Sequence, residues 1–334
     1  VFITTELLKC HIQSYTGLDE LDENEGWVFH SHVGDTLELD VVEKWGVEEF
    51  HAVIGNPPYS TNPSCPDTKP LYNKFIEKYI IHEKLLFVVP SRWFVGGKGL
   101  DGFRDFMMSR TDIVFIRHED DAKKWFGNNV EIKGGVNYFM KDSFHHDVCT
   151  FNGEPYPLSK YDCIIKPQYH TIVDIVNTMD SIEKIYMGRY FKIETNDKTL
   201  KDTGKIKCFV STLKSKDRCK YVDNYEFTQE NTFWKVITPR AAYKAFSGFG
   251  EIFIGKPNEI HSGSYISFRV NSEDEAKSLQ SFLTTKMVNH LLSIRKISQD
   301  ISENTCKWIP LVPLDRIWTD EIVCAYLNIN KNLL

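Results

Sequence analysis

The chain has 334 residues, 42% of them apolar and 13% aromatic, with a formal net charge of −6. That length exceeds the roughly 250–300 residues at which a single core stops growing, so two domains are expected. No run approaches the ~18 uninterrupted apolar residues of a membrane span, which excludes a membrane anchor from the expected architecture.

In chain order, residues 1–5, 27–33, 50–54, 84–89 and 112–117 read as strands. Between them, Leu71, Phe75, Ile76, Tyr79 and Ile80 share one helical face, and Leu100, Phe103, Phe106 and Met107 share another. Strand–helix alternation implies an α/β domain with a mostly parallel sheet, whose ligands sit beyond the carboxyl ends of the strands. Gly96-Gly97-Lys98-Gly99 follows the strand at 84–89 and reads as a loop or lid. Beyond about residue 150 the alternation gives way to turn-rich polar stretches at 196–204 and 211–223 and short β-like runs at 234–238 and 265–270. This is the pattern of a second, α+β domain, with a boundary near residues 150–165. Within it, Ser272 and Glu275 predict a capping box ahead of one helix bearing Ala276, Leu279, Phe282, Leu283 and Met287.

The eight cysteines, at 10, 65, 149, 163, 208, 219, 306 and 324, form no CxxC pair and are too scattered for a disulfide framework or a zinc cluster. No metal is expected, and a reducing cytoplasm fits. No secretory signal pattern opens the chain. Charge is unevenly placed, net −9 over residues 1–150 and +3 over residues 151–334, so the second half is the expected face for a polyanion.

The most informative segment is Phe50-His-Ala-Val-Ile-Gly-Asn-Pro-Pro-Tyr59, a buried-looking apolar strand that stops at Gly55 and runs into two prolines. Neither proline can continue a sheet ladder, so Pro57 and Pro58 fix a stiff corner at the strand's carboxyl edge. There the Asn56 side chain and the Pro57 carbonyl can share one small volume, with Tyr59 lying flat beside it. Two oxygen acceptors converging on a planar amine suit a specific task. The lone pair of an adenine N6 is delocalised into the ring, and accepting its two hydrogens favours a tetrahedral nitrogen able to attack a methyl donor. Positioning and fixed dipoles supply the acceleration, without a strong base.

Several segments together resemble the adenine-N6 DNA methyltransferases of type II and type IIG restriction-modification systems. Besides Gly55–Tyr59 they are His32-Val-Gly-Asp-Thr-Leu-Glu-Leu-Asp40, Leu86-Phe-Val-Val-Pro-Ser-Arg-Trp-Phe94, and Trp125-Phe-Gly-Asn-Asn-Val-Glu-Ile-Lys-Gly-Gly-Val-Asn-Tyr-Phe139. Ile254-Gly-Lys-Pro-Asn258 and Leu292-Ser-Ile-Arg-Lys-Ile-Ser-Gln-Asp300 are similar to the recognition domain of such enzymes. The resemblance implies a Rossmann-like, S-adenosylmethionine-dependent catalytic domain over residues 1–155 and a DNA target-recognition domain over 156–334. It also implies that Asp35 contacts the donor's adenine, that Glu6 accepts from its ribose, and that Phe126 is the second aromatic wall, opposite Tyr59, for a base flipped out of the duplex. Tyr138 is the substitute for Phe126 if that loop is arranged differently. The family's glycine-rich donor loop is absent, and the expectation is that residue 1 falls just after it, leaving the sheet incomplete.

The partners implied are double-stranded DNA and a restriction endonuclease domain or subunit. Cations at Lys214, Lys216, Arg218, Lys220, Arg240, Lys244, Arg295 and Lys296, interleaved with Trp234, Tyr243 and Phe246, mark the second half as the DNA-reading part. Two alternatives stay open at this level: methylation of a protein glutamine or an RNA base, and a catalytically silent DNA-specificity module.

Overall fold

The computed structural model describes residues 32, 34–61, 68–128, 130–210, 219–241, 248–296 and 299–329. Glu6, the expected strand at 1–5, all of the strand at 27–33 except residue 32, and the cations Lys214, Lys216, Arg218 and Lys244 lie outside these residues. The fold is mixed α/β with several sheets. It divides into two compact units, one of residues 1–89, 111–116 and 138–149, the other of residues 90–110, 117–137 and 150–334.

The first unit holds α1 (Val41–Trp45), β1 (Ala52–Gly55), α2 (Tyr72–Tyr79) and most of β2 (Lys84–Pro90). Strands β1 and β2 are parallel, in register from Ala52↔Lys84 to Gly55↔Phe87, as the strand–helix–strand reading expects. Helix α2 buries Tyr72, Ile76 and Tyr79, so the predicted apolar face is the observed one. One expectation fails at β1: the strand begins at Ala52 and not at Phe50, and its alternate positions are open, Ile54 being 73% exposed. It is a one-sided strand, with Val53 and Gly55 on the covered face.

β3 (Ile113–Glu119) and β4 (Val136–Asp142) extend the strand order to β1-β2-β4-β3. The sequence reading missed β4 because a lysine occupies one of its inward positions. Lys141 is only 2% exposed, and its ammonium donates to the His82 carbonyl at 2.6 Å and to Ser143 Oγ at 2.5 Å, with Asp112 at 3.8 Å. A buried cation is tolerated where hydrogen bonds and a counter-charge meet it.

In the second unit, Gly96, Gly97, Lys98 and Gly99 all have positive φ (78°, 79°, 51° and 83°), the loop expected there, and lead into α3 (Asp101–Met108). Phe103 and Met107 are buried as predicted, but Phe106 sits at the rim, its ring covered by the Arg110 guanidinium at 5.3 Å. There follow α4 (Lys123–Phe126), the hairpin strands β5 (Thr150–Phe151) and β6 (Glu154–Pro155), and α5 (His170–Val176). Two further sheets are built from β7 (Tyr186–Gly188), β8 (Ile206–Phe209), β9 (Cys219–Val222), β10 (Trp234–Pro239), β11 (Phe253–Gly255), β12 (Ile260–His261) and β13 (Tyr265–Val270). One has the order β11-β10-β13-β7 and the other β12-β8-β9. Strand β9 occupies part of the stretch expected to be turn-rich.

Helices α6 (Glu273–Thr284) and α7 (Lys286–Arg295) share one core with the antiparallel β10–β13 pair. The single helix expected here is two, because Thr285 adopts an extended backbone and caps α7, its hydroxyl accepting from Val288 N–H; Met287 therefore belongs to the second helix. Ser272 accepts from Glu275 N–H at 3.1 Å, yet the Glu275 carboxylate turns to Asn271 N–H at 2.7 Å, so only half of the capping box forms. The chain closes with α8 (Glu303–Cys306) and α9 (Asp320–Tyr326). The six cysteines among the described residues are free thiols.

Two cations read as candidates for DNA are structural instead. Arg295 is 2% exposed: it makes a bidentate pair with Asp162 (2.6 and 3.0 Å), donates to Asn304 and stacks on Trp308 at 4.3 Å. Lys296 is fully buried. Burial pushes the Asp162 carboxyl up, but Arg295 and then Lys307 outweigh it and hold the group well below the usual carboxylate range. A further buried cation, Lys235, lies against the small core of Phe191, Val222 and Phe233. Its amine donates to the carbonyls of Lys256 and Glu259 at 2.5 and 2.8 Å, and burial lowers its pKa to about 7.

The Arg295–Asp162 pair and the buried Lys235 can be tested by three substitutions. Asp162→Ala leaves Arg295 buried and unpaired and should cost about 2–3 kcal/mol in urea unfolding, below the full range for buried pairs because Asp162 is partly exposed. The depressed Asp162 pKa gives stability that is present above about pH 4 and lost in acid as pH falls toward the folded value, so Asp162→Asn should show a shallower acid limb than the parent. For Lys235 the sign is the same but the window lies at higher pH. Between about 7 and 10 the unfolded chain holds a proton the folded one has released, so stability rises with pH there. Lys235→Met should flatten that rise in melts taken across the interval.

Candidate functional site

Gly55 ends β1 where it pairs with Phe87, and a Cβ at this position would meet the Phe87 ring at 3.2 Å. A glycine lets the strand pass that ring. After Asn56, Pro57 and Pro58 have no N–H to offer the ladder, and the chain leaves the sheet. Because β1 and β2 are parallel, this corner lies at their common carboxyl edge. Asn56 is exposed, Pro57 is buried beneath it, Pro58 is exposed and Tyr59 is half-buried.

Beyond the corner the chain is refastened. The Tyr59 carbonyl accepts from Leu71 N–H at 3.2 Å, Ser60 bridges Pro70, and Thr61 N–H donates to the Lys69 carbonyl. The loop is thus closed at its base, on the segment that starts α2. Burial raises the Tyr59 phenol above its ordinary value, an effect partly opposed by the neighbouring Asn56 side chain. The hydroxyl itself has no hydrogen bond of good geometry among the described residues. Asn56 and Tyr59 are therefore close neighbours at this corner.

Asp35 lies in the same unit, exposed, with one carboxylate oxygen taken by Leu37 N–H at 2.9 Å. Its segment is docked on α2 by two residues not singled out from sequence for this role. Lys78 donates to the carbonyls of Leu37 and Leu39 at 2.7 and 2.6 Å, and the Tyr79 hydroxyl donates to the Thr36 carbonyl at 2.9 Å. Burial, and after it the Asp35 charge, raises the Tyr79 phenol. The adjacent Lys-Tyr pair at the end of an amphipathic helix was the available signal, but only side-chain direction shows which carbonyls it reaches.

Phe126 belongs to the second unit, on the last turn of α4, and is 37% exposed beside Trp125. The segment that carries it is anchored by a polar chain. Ser91 Oγ lies 2.8 Å from His118 Nδ1, His118 Nε2 lies 3.1 Å from Asp120, and Asp120 meets Lys166 at 2.5 Å. The His118 hydrogen bond, acting with Lys166 against partial burial, holds the Asp120 carboxyl well below its usual range. These residues border a cavity of about 310 Å³ walled by Phe94, Phe151 and Tyr169. Tyr138, the substitute for Phe126, is partly covered and packs edge-on to Phe115. No group of three metal-binding side chains occurs among the described residues, and no described helix is long and apolar enough to cross a membrane.

Residues 12–126 match the Eco57I restriction-modification methylase family model. This chain is therefore similar to restriction-modification methylases over about a third of its length. The matched stretch contains Asp35, the Asn56–Tyr59 corner and Phe126, and begins after Glu6. A *Mycoplasma pneumoniae* protein described as an uncharacterized adenine-specific methylase is 28% identical over 161 residues, 45% of this chain and 38% of that protein. The chain thus spans well under half the length of this curated relative. Among solved structures, the type IIL restriction-modification enzyme MmeI in complex with DNA overlaps 90% of this chain and 50% of its own, at a TM-score of 0.45 and 12% identity. The type IIG restriction endonuclease BpuSI overlaps 78% and 47%, at a TM-score of 0.30 and 11% identity. The resemblance to adenine methylases of restriction-modification systems read from the sequence is borne out.

The anchor of the Phe126 segment depends on one glycine. Gly135 has φ 80°, and a Cβ there would meet the Glu119 carbonyl oxygen at 2.4 Å and the Asp120 Cα at 3.0 Å, while the Gly135 carbonyl accepts from Ser91 N–H. Gly135→Ala should lower stability by about 2–4 kcal/mol through strain and overlap, measured by denaturant unfolding, whereas Gly97→Ala, with open space around it, should cost at most about 1–2 kcal/mol from its φ alone.

Proposed function

We propose that this chain is the catalytic and recognition part of a site-specific DNA methyltransferase that moves a methyl group from S-adenosylmethionine to adenine N6 in duplex DNA. The observation that carries the reading is the diproline corner inside the matched methylase stretch, with Asn56 exposed at the carboxyl edge of a parallel strand pair and a half-buried tyrosine at its side.

In this reading the Asn56 side-chain oxygen and the Pro57 carbonyl accept the two N6 hydrogens of a flipped adenine, drawing the nitrogen toward tetrahedral geometry with its lone pair free. Tyr59 stacks on the base, a contact worth roughly 1–3 kcal/mol, and Phe126 is the second stacking ring. No side-chain base is needed, because the nitrogen becomes strongly acidic once alkylated and its proton passes to water. The donor supplies an activated methyl on a positive sulfur. On this chain, the exposed Asp35 carboxylate, with one oxygen held by Leu37 N–H, fits the donor's adenine amine as an acceptor, and Lys78 and Tyr79 keep its segment in place. Glu6 is proposed for the ribose hydroxyls. The reading makes residues 1–155 a Rossmann-like catalytic domain and residues 156–334 a target-recognition domain. It places the protein in a prokaryotic or phage-infected cytoplasm, beside a restriction endonuclease domain or subunit.

The test is methyl transfer from labelled donor to duplex DNA by the full-length protein, followed by digestion to nucleosides. The parent should yield N6-methyladenine. Asn56→Ala should lose about 10²–10³-fold in rate, the scale on which a single preorganised polar contact acts in a transition state, while still binding DNA. Label appearing in protein or RNA defeats the DNA assignment, and DNA binding by a parent that transfers no methyl group points to a specificity module.

A further inference from the structure

Nearly every cation expected to serve DNA in the second unit is engaged within the protein or lies outside the described residues. Lys220 pairs with Asp202, Arg240 faces Asp300 at 3.8 Å, and Arg295 is locked on Asp162. Elsewhere Lys201 is matched to Asp223 and Lys207 to Glu259. Against this background two exposed cations stand on one short turn with no carboxylate partner among the described residues, Arg189 and Lys192.

The turn is rigidly built. Lys192 N–H donates to the Arg189 carbonyl at 3.1 Å, closing a four-residue turn, and Lys192 holds a left-handed φ of 55°. Between them Phe191 is buried, packed edge-on to His261 and stacked with Phe233, and the Lys235 amine lies 5.4 Å from its ring. After the turn, Ile193 bridges Ser262 and accepts from Gly263 N–H at 2.7 Å. This turn, Tyr190 included, edges an open groove of about 640 Å³, whose other contributors include Glu194 and Tyr225. Above Gly263 two unlike charges converge: Arg189 Nη1 and Glu194 Oε2 each lie 3.5 Å from the point a Gly263 Cβ would occupy. Even so, Arg189 and Glu194 form no ion pair among the described residues. A guanidinium fork and a carboxylate presented together over a glycine floor, beside tyrosine rings, carry the donors and the acceptor that a G·C pair requires. Arginine donates to guanine O6 and N7, and glutamate accepts from cytosine N4.

We infer that this groove is the base-reading surface of the recognition part, with Arg189 contacting guanine, Glu194 its cytosine partner and Lys192 a flanking phosphate. The inference rests on the methylase reading above and assigns the residues that set its sequence preference. Lysine keeps the charge of arginine but not its planar fork, so Arg189→Lys separates base reading from simple charge attraction.

The experiment is selection of bound duplexes from a randomised DNA library by the full-length protein, with sequencing of the bound pool and methylation of the selected sequences as a second readout. The parent should enrich a site containing at least one fixed G·C pair. Arg189→Lys and Arg189→Ala should lose about 10–100-fold discrimination at one such pair, with melting temperatures near the parent's and residual non-specific binding kept by the lysine variant. Lys192→Ala should weaken binding to all sequences alike and lower the slope of log affinity against log salt by about one. A parent that methylates DNA with a preference unchanged in both Arg189 variants overturns the inference and leaves the methylase reading intact. A parent that neither binds nor methylates any duplex overturns both.

Discussion

A strand with one partner offers it the N–H of alternate residues, and two consecutive prolines withhold that donor whichever of them faces the partner. That constraint at Pro57 and Pro58 organises the first unit around its candidate site. It stops β1 at Gly55, leaves Asn56 standing at the carboxyl edge of the parallel pair, and turns the chain so that Tyr59 returns against it. The corner is not held by the prolines alone. Hydrogen bonding of the Tyr59 carbonyl to Leu71 N–H, and the bridges that follow, tie its far side to the start of α2. α2 in turn fixes the Asp35 segment through Lys78 and Tyr79. One short helix therefore holds both the corner and the carboxylate to a common frame, with backbone carbonyls as the receiving partners.

The same economy of polar contacts recurs in the second unit. His118 links Ser91 to Asp120, and Asp120 links onward to Lys166, so a buried imidazole joins segments distant in sequence immediately before the short helix that bears Phe126. Hydrogen-bonded chains of this kind are worth having only when every member is satisfied. The exposed aromatic tip of α4 is thus carried on a stiff base, a useful property in a side chain whose proposed work is to meet a base pulled from a duplex.

Much of this was legible in the sequence because it follows from local rules. Helical spacing placed Ile76 and Tyr79 on the buried face of α2, short apolar runs located β2 and β13, and the Gly55–Tyr59 string located the corner. What stayed hidden depends on partners remote in the chain. β4 escaped because Lys141 points inward and looks polar until the His82 carbonyl that receives it is known. Arg295 and Lys296 looked like polyanion contacts because side-chain burial leaves no trace in composition, and the break at Thr285 was invisible because its flanks are equally helical in pattern. Conversely Arg189 and Lys192, inconspicuous among forty cations, become notable only once their neighbours are seen to be engaged.

The turn at 189–192 is held by what lies beneath it. Phe191 supplies the anchorage and the backbone bond between Lys192 and Arg189 supplies the shape, so the outward side chains at 189 and 194 contribute little to holding the fold together. On the reading proposed for this groove, substitutions at these two positions would alter which word is read without asking the scaffold to be rebuilt.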